Sequence, residues 1–425
     1  MIGADFAPSS LPNALRLRFL AHHLPEFGWE PVVLTTDPKH YENLVDQENE
    51  QLLPESLEVI RTDALPVKLT RKLGLGDIGI RSLWHHWRAL SGLCRERKVD
   101  LLFISVPPNV PMVLGRLAHG RFGIPYVIDY QDPWVTEFYW SLPKEKRPPK
   151  WALAYAMARV LEPFSLRRAG HIVGVSEGTT DGVFARYPWL KHLSATEIPL
   201  GGEPDDFEHL RRNPRANQIF NRADGHFHLS YVGAYTVSMN ETVRALFEAL
   251  RVGLGSKPEL FSRLRMHFVG TNYAPDAGGI SPLKEMAGEM GVAELVEEHP
   301  RRVPYLDALQ LLLESDALMI LGSGEAHYTA SKVFPYILAR KPLLTIFHEA
   351  SNIVRILRET ESGPVITYNA QSPPETKAGE IALQLERLLL LPQGYQPPTR
   401  WEAFEQYTTR AMSARLAQAF DKALA

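Results

Sequence analysis

The sequence predicts an α/β protein of two doubly wound, Rossmann-like domains facing each other across a cleft, and three observations carry the prediction. Short apolar runs alternate with amphipathic stretches along nearly all of the 425 residues, the pattern of parallel sheets covered on both faces by helices. A chain of that length exceeds one ordinary core and favours two. The alternation is broken once, by the polar, turn-rich stretch GGEPDDFEHLRRNPRANQIFNRADG (201–225).

Taken in order, the opening MIGADFAPSS reads as a strand entered almost without a lead, and it lacks the basic flank and apolar core of a signal peptide. The loop FAPSSLPNALRLR (6–18) then leads into a helix opened at or near Asn13. Arg16 and Arg18 lie two apart and cannot share a helix face, which leaves one to reach the cleft and the other to solvent. Strands are expected at 31–36, 57–61, 100–105, 125–130, 171–176 and 196–200, with helical patterns such as ALRLRFLAHHLPEFG and LWHHWRALSGLCRERK between them. After the break a second series follows at 227–233, 264–270, 316–321, 342–347 and 364–368. The last segment, TRWEAFEQYTTRAMSARLAQAFDKALA, reads as one long amphipathic helix packing back toward the first domain. The expected organisation is therefore 1–200, 201–400 and a terminal helix over 401–425.

Composition narrows the class. With 45% hydrophobic and 22% charged residues and a net charge of -3, the chain is of soluble globular type and is not a dedicated nucleic-acid binder. Its one cysteine, Cys94, excludes an intrachain disulfide framework, fits a reducing compartment, and inside LSGLCRERK reads as a packed helix residue. No run of about 18 apolar residues is present, so no transmembrane helix is expected; a cytoplasmic protein follows. Between residues 65 and 170, 17 basic residues face 8 acidic ones, interleaved with Trp84, Trp87, Phe138, Tyr139, Trp140 and Trp151. Two readings compete there: a surface for an anionic membrane, with the protein peripheral on the inner leaflet, or solvated helix faces over core tryptophans.

Candidate chemistry sits at the carboxyl ends of strands, where open α/β sheets bind ligands. Gly233 ends a strand and is followed by AYTVSMNETVRALFEALR, a loop and then a helix with Asn240 as N-cap. That is either an anion site built from first-turn amides or an ordinary strand-loop-helix link. GIPYVIDYQDPW (123–134) masses Asp129, Gln131 and Asp132 at another strand end; Asp129 reads as structural and Asp132 as facing the cleft. No GxGxxG, Walker loop, HExxH, paired-cysteine zinc pattern or GxSxG is present, and the adjacent pairs His22–His23 and His85–His86 cannot converge on one ion. No metal and no NAD are expected.

With these stretches in order, the chain resembles glycosyltransferase family 4, the retaining, nucleotide-sugar-dependent enzymes of GT-B fold. LRFLAHHLPEFGWEPVVLTT is similar to the family's first helix and second strand, GIPYVIDYQDPW to a strand ending D-x-x-D-P-W, and IVGVSEGTTDGV to the hand-over between domains. LSYVGAYTVSMNETVRALFEAL stands at the donor-phosphate loop, VPYLDALQLLLESDALMIL before the donor site, and SKVFPYILARKPLL at the signature K-x-x-E-Y-x-A-x-x-K-P.

The resemblance implies sugar transfer from a nucleotide-diphosphate sugar to a glycan or lipid-linked acceptor in cell-surface polysaccharide or glycoconjugate synthesis, without a metal or other cofactor. It implies catalytic roles for Lys332 and Asp132. Lys332, Ser331 and the Gly233–Ala234 backbone would stabilise the leaving diphosphate, with Tyr235 and Asn240 on the same donor loop. Val303 and Pro304 would border the base, and Glu325 would contact the ribose or sugar. Ser9, Ser10, Arg16, Gln131 and Asp132 would lie on the acceptor side. The sequence departs from the pattern at Pro335, which stands where the family has a ribose-binding glutamate, and at Met239–Asn240, where a basic residue is usual. Gln131 stands where some members have histidine, and Ser9–Ser10 where paired glycines are found. A sugar-nucleotide epimerase of the same fold and a non-catalytic sugar-nucleotide-binding homologue are the alternatives.

Overall fold

In the computed structural model, which describes residues 1–42, 45–141, 143–147, 150–272, 281–324 and 331–424, the apolar runs become parallel strands. They belong to two units, Met1–Leu200 with Thr409–Ala425, and Gly201–Thr408.

The first unit contains β1 (Val32–Thr36), β2 (Glu58–Thr62), β3 (Leu102–Val106), β4 (Tyr126–Tyr130), β5 (His171–Gly174) and β6 (Ala195–Glu197). β1 pairs with β2, and β3 through β6 pair in sequence order, all parallel. The expected opening strand is reduced to Ile2, which bridges both Leu34 of β1 and Ile104 of β3 and so joins the two sets. β3 and β4 are buried at every position, as a parallel strand covered by helices on both faces must be. The covering helices include Pro12–His23 and Ile78–Glu96.

The second unit holds β7 (Phe227–Val232), β8 (Leu264–Val269), β9 (Val296–His299), β10 (Ala317–Leu321), β11 (Leu343–His348) and β12 (Val365–Tyr368). Their order is β12-β11-β10-β7-β8-β9, parallel throughout. Leu229, Met266, Met319 and Ile346 meet Phe247, Leu250 and Ile381 in its core. Each such side chain contributes roughly 1.5–3 kcal/mol when buried.

Three expectations need correction. β9 was not foreseen, because VEEH is short and acidic and pairs along one edge only, with β8. The stretch 201–225 is not a bare connector: it contains the helix Pro204–Arg212, whose Phe207 and Leu210 are buried. The terminal segment is not one helix. It runs as Trp401–Phe404, a 3-10 turn Glu405–Tyr407, and Thr409–Leu424. The break falls at Thr408, which is extended because it pairs in parallel with Gly202, whose amide donates to the Tyr407 carbonyl. Beyond it, Thr409–Leu424 packs into the first unit, where Phe420 meets the rings of Trp29 and Phe103 edge-on and Ser413 donates to the Leu20 carbonyl.

Candidate functional site

In the second sheet the chain goes from β7 to β8 on one side and returns through β10 on the other. The carboxyl ends of β7 and β10 therefore flank a topological switch point, where the diverging loops leave room for a ligand. Lys332 stands there. The short helix Val333–Leu338 follows it, and Pro335 is that helix's third residue. The first helical bond runs from the Tyr336 amide to the Lys332 carbonyl. Pro335 thus removes only a donor that the first turn leaves unpaired, and the helix tolerates it.

The Lys332 ammonium reaches back over β7. Nζ donates to the Tyr231 hydroxyl at 2.6 Å and lies 3.9 Å from the centre of that ring. Tyr231 Oη donates to the Ala234 carbonyl at 2.7 Å, so the lysine, the tyrosine and the loop after β7 form one chain of contacts. Tyr336 closes it from the other side, its hydroxyl accepting from the Val232 amide at 2.7 Å. Gly233 permits the approach: a Cβ there would stand 2.7 Å from Nζ, and its φ of +142° is one that side-chain-bearing residues avoid. Burial, and then the positive charge of Arg302, lower the Lys332 pKa to about 7. An anion placed beside this amine would restore its charge.

Around this centre, Ser331 immediately precedes Lys332, and Val303 and Pro304 lie between β9 and the helix Tyr305–Glu314, half-buried, with Pro304 at its N-cap. Asn240 is not the N-cap of the helix Asn240–Ser256. Met239 holds that position and gives no side-chain cap, while the Asn240 Oδ1 accepts from the Tyr235 hydroxyl. A preceding 3-10 turn, Val237–Met239, shifts the helix start by that one residue. Gly324 after β10 donates to the Ser238 carbonyl at 2.7 Å, tying the two loops together. Glu325 lies outside the described residues.

In the first unit the residues expected on the acceptor side divide. Arg16 is not on an open face: it is buried, with Nε and Nη2 on the two Asp129 oxygens at 2.8 and 2.7 Å and Nη1 on the Pro199 carbonyl at 2.9 Å. Arg18 is buried too. The helix Pro12–His23 is covered along both of the faces they occupy, so neither arginine is solvated. Ser9 is buried and accepts from the Leu11 amide. Ser10 accepts from Asn49 at 2.9 Å. Gln131 donates to Ser105, which donates to Asp129, so Gln131 joins the Arg16–Asp129 network. Asp132 reaches solvent, and partial loss of water around its carboxyl raises its pKa.

Sequence reasoning gave no part to Tyr231 or Tyr336. Tyr336 falls on the tyrosine of the signature stretch, while Tyr231 resembles any core aromatic in a strand until the fold places Lys332 above it. Cys94 packs against the first unit's core, and burial raises its thiol pKa.

The switch-point site and the two Rossmann-like units define the fold class as that of GT-B glycosyltransferases. Residues 14–191 match the family profile "Glycosyl transferase 4-like domain". No curated protein matches the sequence. Among solved structures the chain is similar to Anabaena HepE in complex with UDP and glucose, with TM-score 0.59, 14% identity, and 99% and 98% of the two chains covered. It is also similar to sucrose-phosphate synthase of Thermosynechococcus elongatus, with TM-score 0.58, 12% identity, and 99% and 97% covered. A glycosyltransferase of Rickettsia africae matches with TM-score 0.53, 13% identity, and 100% and 98% covered. A glycosyltransferase-4-like domain thus fills most of the first unit, and the whole chain has the fold that these structures share.

Proposed function

We propose that the protein is a retaining, metal-independent glycosyltransferase that moves a sugar from a nucleotide-diphosphate sugar to a hydroxyl of a glycan or lipid-linked acceptor in cell-surface polysaccharide or glycoconjugate synthesis. The observation that carries this is Lys332, a buried amine held over Gly233 and Tyr231 at the switch point. Transfer with departure of a nucleoside diphosphate needs positive charge and amide dipoles where negative charge develops. Lys332 supplies the first, and the loop after β7 with the start of the helix Asn240–Ser256 supplies the second. HepE, of similar fold, holds UDP and glucose, which supports a nucleotide sugar as donor. Asp132 is the acceptor-side group that best fits proton handling, because it is open to solvent and its pKa is raised.

The acceptor reading rests on a patch of the first unit. Leu69, Leu73, Trp140 and Leu153 are all more than half exposed. The Lys150 side chain lies against Gly74 and donates to the Lys72 carbonyl, which brings the 67–74 segment to the start of the helix Trp151–Leu166. Trp140 meets Trp151 at 4.7 Å and Tyr155 at 5.8 Å, with the Arg147 guanidinium over both tryptophans. Lys68, Arg71, Lys72, Lys144 and Lys150 are exposed around them. Apolar tips within a cationic ring suit the inner leaflet of an anionic membrane, each basic residue contributing about 1 kcal/mol. Trp87 belongs to the core instead, packing beside Phe122, and no helix among the described residues is long and apolar enough to cross a membrane.

A panel of nucleotide sugars read by mass spectrometry tests the activity: transfer or slow donor hydrolysis supports it, epimer formation points to an epimerase, and no turnover points to a binding protein. Cosedimentation with anionic and neutral vesicles at low and high salt tests the surface. Binding to anionic vesicles that fades with salt is expected; equal binding to both, or none, leaves a solvated face and a soluble acceptor.

A further inference from the structure

The β8–β9 edge of the second sheet gathers imidazoles and a carboxylate that the donor site does not use. His267 on β8 is directly opposite Glu297 on β9 in the parallel register, and His299 lies two residues further along β9 on the same face. One ligand atom from each of the three side chains lies within 4.8 Å of the others. Glu297 Oε2 is 3.3 Å from His267 Nδ1 and 3.7 Å from His299 Nε2. Yet both nitrogens are buried and, among the described residues, neither makes a hydrogen bond.

A hydrogen-bonded chain behind His267 occupies its other ring nitrogen. Asp224 Oδ1 lies 3.1 Å from His228 Nε2, and His228 Nδ1 lies 2.9 Å from His267 Nε2. An ionised carboxylate only accepts, so His228 Nε2 carries the proton. His228 Nδ1 is in turn paired with His267 Nε2, which leaves Nδ1 as the His267 ring nitrogen without a hydrogen bond among the described residues. That nitrogen lies 3.3 Å from the Glu297 carboxylate without a hydrogen bond to it. Phe220 stacks on His228 at 4.2 Å and on His267 at 4.8 Å, fixing both ring planes. A cation between His267 Nδ1, His299 Nε2 and the Glu297 carboxylate would give both buried nitrogens a partner.

We infer that His267, Glu297 and His299 form a binding site for one divalent transition-metal ion, Zn2+ being the best chemical fit. Two imidazoles and a carboxylate are a zinc ligand set, and metal–ligand bonds of about 2.0–2.1 Å place tetrahedral ligands roughly 3.4 Å apart, close to the two separations found. The Asp224–His228 relay behind His267 is the outer-shell support that fixes a ligating imidazole's tautomer. Glu297 and His299 are 44% and 36% exposed on their side chains, so the ion can enter from solvent and hold water as its fourth ligand. The ion would clamp edge strand β9 onto β8, just before the loop carrying Val303 and Pro304. It takes no part in the proposed sugar transfer. The ligands escaped the sequence reading because it looked for histidines close in sequence, whereas the sheet joins residues thirty apart.

The test uses the full chain, stripped with a chelator and titrated with Zn2+ by calorimetry and with Co2+ by visible absorption. One ion per chain, tetrahedral Co2+ bands and a Zn2+-dependent rise in melting temperature are expected. Glu297→Gln and His299→Ala, both on half-exposed residues, should each weaken Zn2+ at least tenfold and erase the Co2+ bands, while His192→Ala at an exposed site elsewhere should change neither. Circular dichroism checks that the variants fold, and the wild-type stoichiometry and Co2+ spectrum decide the matter if they do not. Absence of a stoichiometric ion, or variants that bind as wild type does, would overturn the inference.

Discussion

Replacing Lys332 with methionine removes the amine but keeps an unbranched side chain out to the ε carbon, and the structure sets how much should change. The fall of the Lys332 pKa from 10.5 to about 7 corresponds to roughly 5 kcal/mol against its ammonium in the empty site. A diphosphate reverses part of that, and a charge-assisted contact nets about 1.5–3 kcal/mol. Lys332→Met should therefore weaken UDP or GDP binding by about 10- to 150-fold. The same perturbation fixes two pH dependences. Bound anion pulls the lysine pKa back up, so binding takes up a proton above pH 7, and wild-type affinity falls as pH rises from there. Without nucleotide the folded pKa lies below that of the unfolded chain, so between pH 7 and 10.5 the unfolded chain holds more protons and stability rises with pH. Lys332→Met should lose both trends. Calorimetry at pH 6.5 and 8.5 with thermal melts of the free protein reads all of this. Methionine binding every accepted nucleotide as tightly as lysine does, or a wild-type affinity flat with pH, would refute the assignment.

Gly233→Ala should disturb the same centre by another route, since its Cβ would displace Lys332 Nζ and adopt an unfavourable φ; a stability loss of about 1–3 kcal/mol and a clear loss of nucleotide affinity are expected by melting and calorimetry. Arg16→Met should cost about 3–5 kcal/mol in denaturant unfolding, because Asp129 would remain as a buried, unpaired charge. A folded variant of unchanged stability but altered acceptor use would instead return Arg16 to the acceptor side. His86 and His171 are buried with pKa values lowered to about 4 by desolvation, so the unfolded chain takes up protons first and stability should fall as pH drops from about 6.5 to 4. His171→Gln, which can still reach Ser194 and Thr196, should flatten part of that fall in melts across this range.

The strand series and the helices between them were legible in the sequence because their causes are local, whereas Lys332 stood out only through the family resemblance. Period and apolar runs mark strands such as β4 and β10, and Pro335 is admissible from its place in a first turn alone. β9 was not legible, since Val296–His299 is a strand only because β8 offers it an edge. The break at Thr408 depends on Gly202, two hundred residues away. Arg16 reads on paper as a cation near a strand end, and only the fold sets it against Asp129 and makes it structural. The lowered pKa of Lys332 likewise comes from burial over Tyr231. Periodicity determines which segments become helix or strand, since side-chain direction repeats with the backbone. Which charge ends beside which partner, and how much water it keeps, depends on contacts between residues far apart in the chain, and only the tertiary structure decided those.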